Sequence, residues 1–142
     1  MTSVRAAKSK GSQFELDTTH SLRNKYEDLV RTGQEGFQLQ YDLRSDNHRV
    51  IFECKRLKSM SWNQAKKYID KLEFVSPITY QAYLLFKSNR QPCLVMYYDT
   101  DYNSAGKTTM LTVRTFKDVF GVEFEKHPPN KVGRKKLIEE VK

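Results

Sequence analysis

Asp42, Glu53 and Lys55 are the residues of this 142-residue chain whose types and spacing suit chemistry. They lie in two segments of alternating pattern joined by Ser45-Asp46-Asn47-His48, a run with turn chemistry. In Phe37–Leu43 the apolar residues Phe37, Leu39, Tyr41 and Leu43 alternate with Gln38, Gln40 and Asp42. In Arg49–Arg56, Val50, Phe52 and Cys54 alternate with Arg49, Glu53 and Lys55, and Ile51 is an apolar intruder on the polar side. A turn centred on Asp46-Asn47 pairs Asp42 with Ile51 and Gln40 with Glu53. That register predicts Asp42 and Glu53 as diagonal neighbours, with backbones roughly 7–8 Å apart, on one face with Lys55. The opposite face collects Phe37, Leu39, Tyr41, Leu43, Val50, Phe52 and Cys54, and a slip of one residue buries the charges instead. Asp46, in the turn, reads as a turn former.

Two carboxylates so placed reach one divalent cation, and hard oxygen donors suit Mg²⁺ or Mn²⁺. Lys55, one side-chain repeat beyond Glu53, can hold a water or stabilise charge building on a phosphate. These are the requirements of metal-dependent phosphodiester hydrolysis. The plainer reading is a hairpin with a charged outer face. Three features favour chemistry: the acid and base stand inside the apolar run Val50–Lys55, another acid (Glu15) precedes them on a predicted helix, and the chain is basic. Its 25 Lys+Arg against 17 Asp+Glu give a net charge of +8, and the pI near 9.5 points to an acidic partner, nucleic acid first.

The elements that must position these groups follow from periodicity and punctuation. A helix is predicted over Ser12–Val30, burying Phe14, Leu22, Tyr26, Leu29 and Val30 and ended by Gly33 or Gly36. After the two strands, Ser61-x-x-Gln64 is a capping box, and its helix runs to about Phe74 with Ala65, Tyr68, Ile69 and Leu72 inward. Ser76-Pro77 predicts a further helix through Tyr83, Leu84 and Phe86, stopped by Pro92. Cys93–Tyr98 reads as a buried strand, Asp99–Lys107 as a polar loop, Thr108–Val113 as a strand and Thr115–Phe120 as a short helix closed by Gly121. The order α-β-β-α-α-β-β-α makes a mixed α/β sandwich in a single domain, residues 11–125. Residues 1–10 read as a mobile basic arm and 126–142 as a basic C-terminal tail. No run approaches the roughly 18 apolar residues of a membrane span, and the N-terminus lacks the apolar segment of a secretory signal. Two cysteines, Cys54 and Cys93, each inside an apolar run, suggest a reducing, intracellular setting.

On Asp42 and Glu53-Cys54-Lys55 the chain resembles the PD-(D/E)XK, or restriction-endonuclease-like, nuclease superfamily, whose motif is an Asp on one strand and Glu-x-Lys on the next. Within it the chain is most similar to archaeal and viral Holliday junction resolvases, small basic proteins opening with Lys-Gly-x-x-x-Glu, here Lys10-Gly11-Ser12-Gln13-Phe14-Glu15. The family's helix and buried strand after Glu-x-Lys are matched to Gln81–Tyr98. The resemblance implies an α/β fold with a restriction-endonuclease-like mixed β-sheet core flanked by helices. It also implies Mg²⁺ (or Mn²⁺) held by Glu15, Asp42 and Glu53, a water positioned by Lys55, a four-way junction or other branched DNA as substrate, and a homodimer making two symmetric nicks. Tyr41 stands where the superfamily places Pro before its Asp.

Gln64-Ala65-Lys66-Lys67-Tyr68 is similar to the Gln-x-x-x-Tyr helix of RecB-family nucleases, and reads equally as a capping Gln and a core Tyr. The four cysteines of the iron–sulfur variants are absent. DNA contacts are expected from Arg5, Lys8 and Lys10, from the stripe Arg56, Lys58, Lys66, Lys67 and Lys71, and from Gln64 and Tyr68. His20, His48 and His127 are scattered and read as surface or structural residues. Trp62, Tyr97, Tyr98 and Tyr102 read as packing residues, and Asp99 and Asp101 as turn residues. The competing functions are a restriction-type, nicking or exonucleolytic DNase, a non-catalytic nucleic-acid-binding protein, and an RNA-processing nuclease.

Overall fold

The computed structural model describes residues 4–32 and 41–127, with side chains for all of these except residues 4–11 and 103. In chain order the elements are α1 (Val4–Leu22), β1 (Val30–Arg31), β2 (Leu43–Ser45), β3 (Val50–Arg56), α2 (Trp62–Val75), β4 (Gln81–Lys87), β5 (Leu94–Asn103), β6 (Gly106–Thr115) and α3 (Phe116–Phe120). The strands form one sheet in the order β1-β2-β3-β4-β5-β6. Neighbours are antiparallel except β3 and β4, which run parallel and are joined through α2. The molecule is thus a mixed α/β domain with a six-stranded mixed sheet flanked by helices.

Both faces of β3 are covered, which explains its pattern. Val50 and Phe52 pack with Phe14 and Leu22 of α1 and with Phe116 and Phe120 of α3. Ile51 points the other way, onto Ala65, Ile69 and Leu72 of α2. The apolar intruder on the polar side is therefore the anchor of a second helix.

α2 forms as its sequence dictates. Ser61 accepts from the Gln64 N–H at 3.2 Å, and the Gln64 side chain accepts from the Ser61 N–H at 3.3 Å. α3 likewise starts at its Thr115 cap and ends on Gly121, whose φ of 75° is the left-handed turn glycine tolerates.

Three expectations are corrected. The segment read as a helix through Tyr83, Leu84 and Phe86 is the strand β4. Ala82 and Leu84 pack under α2 while Leu85 packs under α1 and α3, so a strand buried on both faces carries the nearly continuous apolar run of a buried helix. Ser76 caps the C-terminus of α2, and Pro77 opens a turn closed by the Tyr80 N–H on the Pro77 carbonyl. Gln81–Tyr98 therefore holds no helix, and the helix that follows Glu53-Cys54-Lys55 is α2, Trp62–Val75.

The first helix is displaced at both ends. It stops at Leu22, and Val30–Arg31 form the edge strand β1. Asp28 accepts hydrogen bonds from Ser45 Oγ and the Asn47 N–H, tying this stretch to the turn after β2 and off the helix. At its start α1 reaches back to Val4, so Arg5, Lys8 and Lys10 stand on helical backbone.

The loop expected at Asp99–Lys107 is the outer half of the β5–β6 hairpin, paired through Asn103 and Gly106. Asp99 and Asp101 are strand residues. The β-branched and aromatic Thr100, Tyr102, Thr108 and Thr109 extend the ladder beyond β4, where it is polar because no helix covers it.

After α3 the chain returns along α1. Ser21 bonds the Glu125 backbone at 2.7 and 3.0 Å, and the His127 N–H donates to Asp17 at 2.8 Å. Phe124 packs edge-on against Phe14 and Phe116. Cys54 and Cys93 are free thiols. Among the described residues no helix is long and apolar enough to cross a membrane. Phe37, Leu39, Gln38 and Gln40, the glycines at 33 and 36, and the basic tail from Pro128 onward lie outside the described residues.

Candidate active site

β2 pairs with β3 two residues away from the expected register: Leu43 faces Phe52, Arg44 faces Ile51 and Ser45 faces Val50. The cause is the turn. β2 continues through Ser45, whose hydroxyl is bound by Asp28, so the reversal spans Asp46–Arg49 and Arg49 takes a positive φ of 54°. Parity survives a two-residue shift, so Asp42 keeps its face. The Asp42 N–H donates to the Phe52 carbonyl at 2.9 Å, and the residue stands beside Glu53 rather than diagonal to it.

The strand expected to lead into Asp42 is bent there. Tyr41 packs with Ile51 on the α2 side, while Leu43 packs with Phe52 on the α1 side, so the strict alternation of Tyr41 with Leu43 is overturned. The bend lets the Asp42 carboxylate accept from the Cys54 N–H at 2.8 Å, where a straight strand would offer a carbonyl.

Asp42 and Glu53 are in side-chain hydrogen-bond contact, and Lys55 Nζ lies 4.0 Å from Glu53 Oε1. Glu53 has only 18% of its side chain exposed. Burial first, then the contact with Asp42 and its charge, and the charge of Glu15, push the Glu53 carboxyl up to about 8, against the opposing pull of Lys55. Two carboxyls in contact cannot both ionise freely, so the pair retains a proton near neutrality. The Lys55 ammonium also sits 4.7 Å from the centre of the Tyr68 ring, a cation–π contact that fixes it between β3 and α2.

Glu15 comes to the same place from α1. Its carboxyl is raised by burial and by the charge of Asp42, and opposed by Arg31, whose Nε lies 3.5 Å away. Arg31 in turn donates to Ser12 at 3.0 Å. No local pattern in the sequence marks Arg31. Its strand had the apolar content of a helix end, and its partner lies on another element.

All four residues expected to do chemistry thus converge on one region. The donor set fits a divalent cation: two hard carboxyl groups lie together, and the proton that Glu53 retains is one that a dication can replace. Among the described residues, however, the group of three whose ligand atoms all lie within 4.8 Å of one another is Glu27, Asp28 and His48. Its members have structural work. Asp28 holds the turn after β2, and His48 Nε2 meets Glu27 at 3.2 Å and packs its ring against Tyr26.

The expected DNA contacts are scattered around this centre. Arg56 donates to Asn89 at 2.8 Å. Lys66 is paired with Asp70 at 2.7 Å, an acid that also accepts from the Tyr98 hydroxyl. Lys58, Lys67 and Lys71 are exposed. Gln64 serves the capping box and Tyr68 is half-buried beneath Lys55. Comparison with known protein families, with characterised proteins and with solved structures finds no match.

Proposed function

We propose that this chain is a divalent-cation-dependent DNA endonuclease that hydrolyses phosphodiester bonds in branched DNA, with the four-way junction as its substrate. The observation that carries the reading is the contact of Asp42 with Glu53, flanked by Lys55 and Glu15. Asp42 and Glu53, with Glu15, would hold Mg²⁺ or Mn²⁺. The ion would supply charge neutralisation at the phosphate and acidify water.

The chain's own residues do the rest. Glu53 would release its retained proton to solvent when the ion is bound. Asp42 stays aimed by the Cys54 N–H. Lys55, steered by Tyr68 and Glu53, presents an ammonium to a water or a phosphate oxygen. Arg31 keeps Glu15 oriented towards Asp42. The net charge of +8 supports a polyanionic substrate. The similarity to junction resolvases supports branched DNA and, because two strands must be nicked symmetrically, a two-fold homodimer.

The test is incubation of labelled four-way junction, linear duplex and single-stranded DNA with the protein in Mg²⁺, with EDTA and with Asp42→Asn as controls. Selective, EDTA-sensitive cutting of the junction supports the proposal. Equal cutting of linear duplex broadens the enzyme to a general DNase. Binding without cutting on any DNA overturns the nuclease reading in favour of a non-catalytic binding protein.

A further inference from the structure

Beside α1, and separated from the acidic centre by Arg31, lies a cavity of about 390 Å³. Leu16 and His20 enter it from α1, Arg23 from the turn that follows α1, and Leu29, Val30 and Arg31 from the segment that becomes β1. Helical spacing puts the α1 residues on one face. His127 completes the lining, brought there by its backbone bond to Asp17, a buried acid that also accepts from Gln13 at 2.7 Å. Among the described residues the lining contains two arginines and two histidines and no acid. Carboxylates at its borders are engaged: Glu15 on Arg31, Asp17 on the His127 N–H, and Glu125 at 3.8 Å from His20, with 68% of its side chain in solvent.

The arginines are preset. Arg23 Nη1 donates to the Leu29 carbonyl at 2.6 Å, and Arg31 is held by Ser12 and Glu15. A guanidinium anchored by part of its fork keeps its remaining N–H groups for an incoming phosphate. The volume falls in the range of roughly 300–1,000 Å³ typical of ligand sites and exceeds what a bare phosphate needs. Leu16, Leu29 and Val30 give the apolar wall that a sugar ring can lie against.

We propose that this cavity seats one backbone phosphate, with its deoxyribose, of the DNA strand whose following phosphate enters the Asp42–Glu53 centre. DNA as the source of that phosphate rests on the nuclease reading. Arg31 is the shared wall: it lines the cavity and holds the carboxyl that faces Asp42.

The test uses the full chain in EDTA, so that binding is read without cleavage. Labelled junction DNA is titrated by fluorescence anisotropy over a range of salt concentrations for the wild type, Arg23→Gln and His20→Gln. Expected are several-fold weaker binding in both variants and a salt slope less negative by about one unit in Arg23→Gln. Inorganic phosphate is titrated in parallel by NMR. The His20 and His127 ring signals move in the wild type and stay still in Arg23→Gln. Melting curves establish that each variant is folded, and His20→Gln carries the test if Arg23→Gln is not. DNA affinity and slope unchanged in folded variants overturn the proposal, and so does a phosphate response with no change in DNA binding. Weakened DNA binding by the variants of a wild type that cuts no DNA leaves the seat standing and removes the nuclease reading alone.

Discussion

Asp42 and Glu53 meet carboxyl to carboxyl because Leu43 is paired with Phe52. The pairing places the Asp42 N–H on the Phe52 carbonyl, and its side chain then reaches past that bond to the Cys54 N–H. One backbone relationship therefore fixes the first carboxylate and, through it, adds to the upward push that burial gives the second.

Asp42→Asn separates charge from geometry. The amide keeps an oxygen for the Cys54 N–H, so the strand junction persists, while the negative charge beside Glu53 is gone. The Glu53 titration midpoint falls from about 8 towards the usual carboxylate range, measured by carbon-detected NMR of the labelled carboxyl. DNA cleavage falls on the order of 100-fold or more. A midpoint that stays where it was places the cause in burial alone and removes Asp42 from the site.

Glu53 also ties folding to pH. Its folded pKa lies above its unfolded value, so the stability it contributes is fully present below pH 4.5 and is lost as pH rises through about 8. Glu15 is shifted in the same direction. Glu53→Gln removes the Glu53 part of this slope, so urea midpoints of wild type and variant diverge between pH 5 and pH 8.5, the variant gaining at the higher pH. Mg²⁺ or Mn²⁺ competes with the same proton, so the rise in Tm on adding the ion is larger at pH 8.5 than at pH 6 and is abolished in Glu53→Gln. A metal-induced shift of equal size at both pH values contradicts the assignment.

The grouping of the candidate residues was more legible in the sequence than the fold around them. Alternation in Arg49–Arg56 was enough to put Glu53 and Lys55 on one face, because parity is insensitive to the two-residue change of register. Capping chemistry located α2 and α3, since Ser61, Gln64, Thr115 and Gly121 act through neighbours in the chain. What was lost depends on distant partners. β4 carries apolar residues towards both α2 and α1, so its periodicity is masked. β1 is an edge strand whose form depends on Asp28 reaching Ser45 and Asn47. The pairing of Arg31 with Glu15 joins β1 to α1, while local pattern carried the helix on to Val30 and left Arg31 just beyond it.

The core beneath the site gives a stability prediction. Phe52 is fully buried, stacked on Tyr83 at 5.6 Å between ring centres and flanked by Tyr26 and Phe120. Phe52→Ala removes an aromatic from both α1 and α3 contacts and costs about 3–5 kcal/mol by urea denaturation. Because the Phe52 carbonyl accepts from the Asp42 N–H, hydrogen exchange at Asp42 accelerates in the same variant. A loss below about 1 kcal/mol is incompatible with this packing.

Lys55 and Tyr68 offer the sharpest separation of positioning from chemistry. The ammonium is held over the ring at 4.7 Å and beside Glu53 at 4.0 Å. Tyr68→Phe keeps the ring face, so cleavage stays within a few-fold of wild type. Tyr68→Leu removes a contact worth about 0.5–1 kcal/mol and lowers the cleavage rate by several-fold, with little change in DNA affinity. Lys55→Met removes the ammonium itself. Cleavage is then lost, and the Glu53 midpoint rises further because its opposing cation is gone. Single-turnover cleavage and anisotropy binding on the same junction distinguish these outcomes. If Tyr68→Phe falls as far as Tyr68→Leu, the hydroxyl rather than the ring is what matters. Tyr68 then belongs with the DNA contacts, as the RecB-like Gln64–Tyr68 spacing suggests, and not with the support of Lys55.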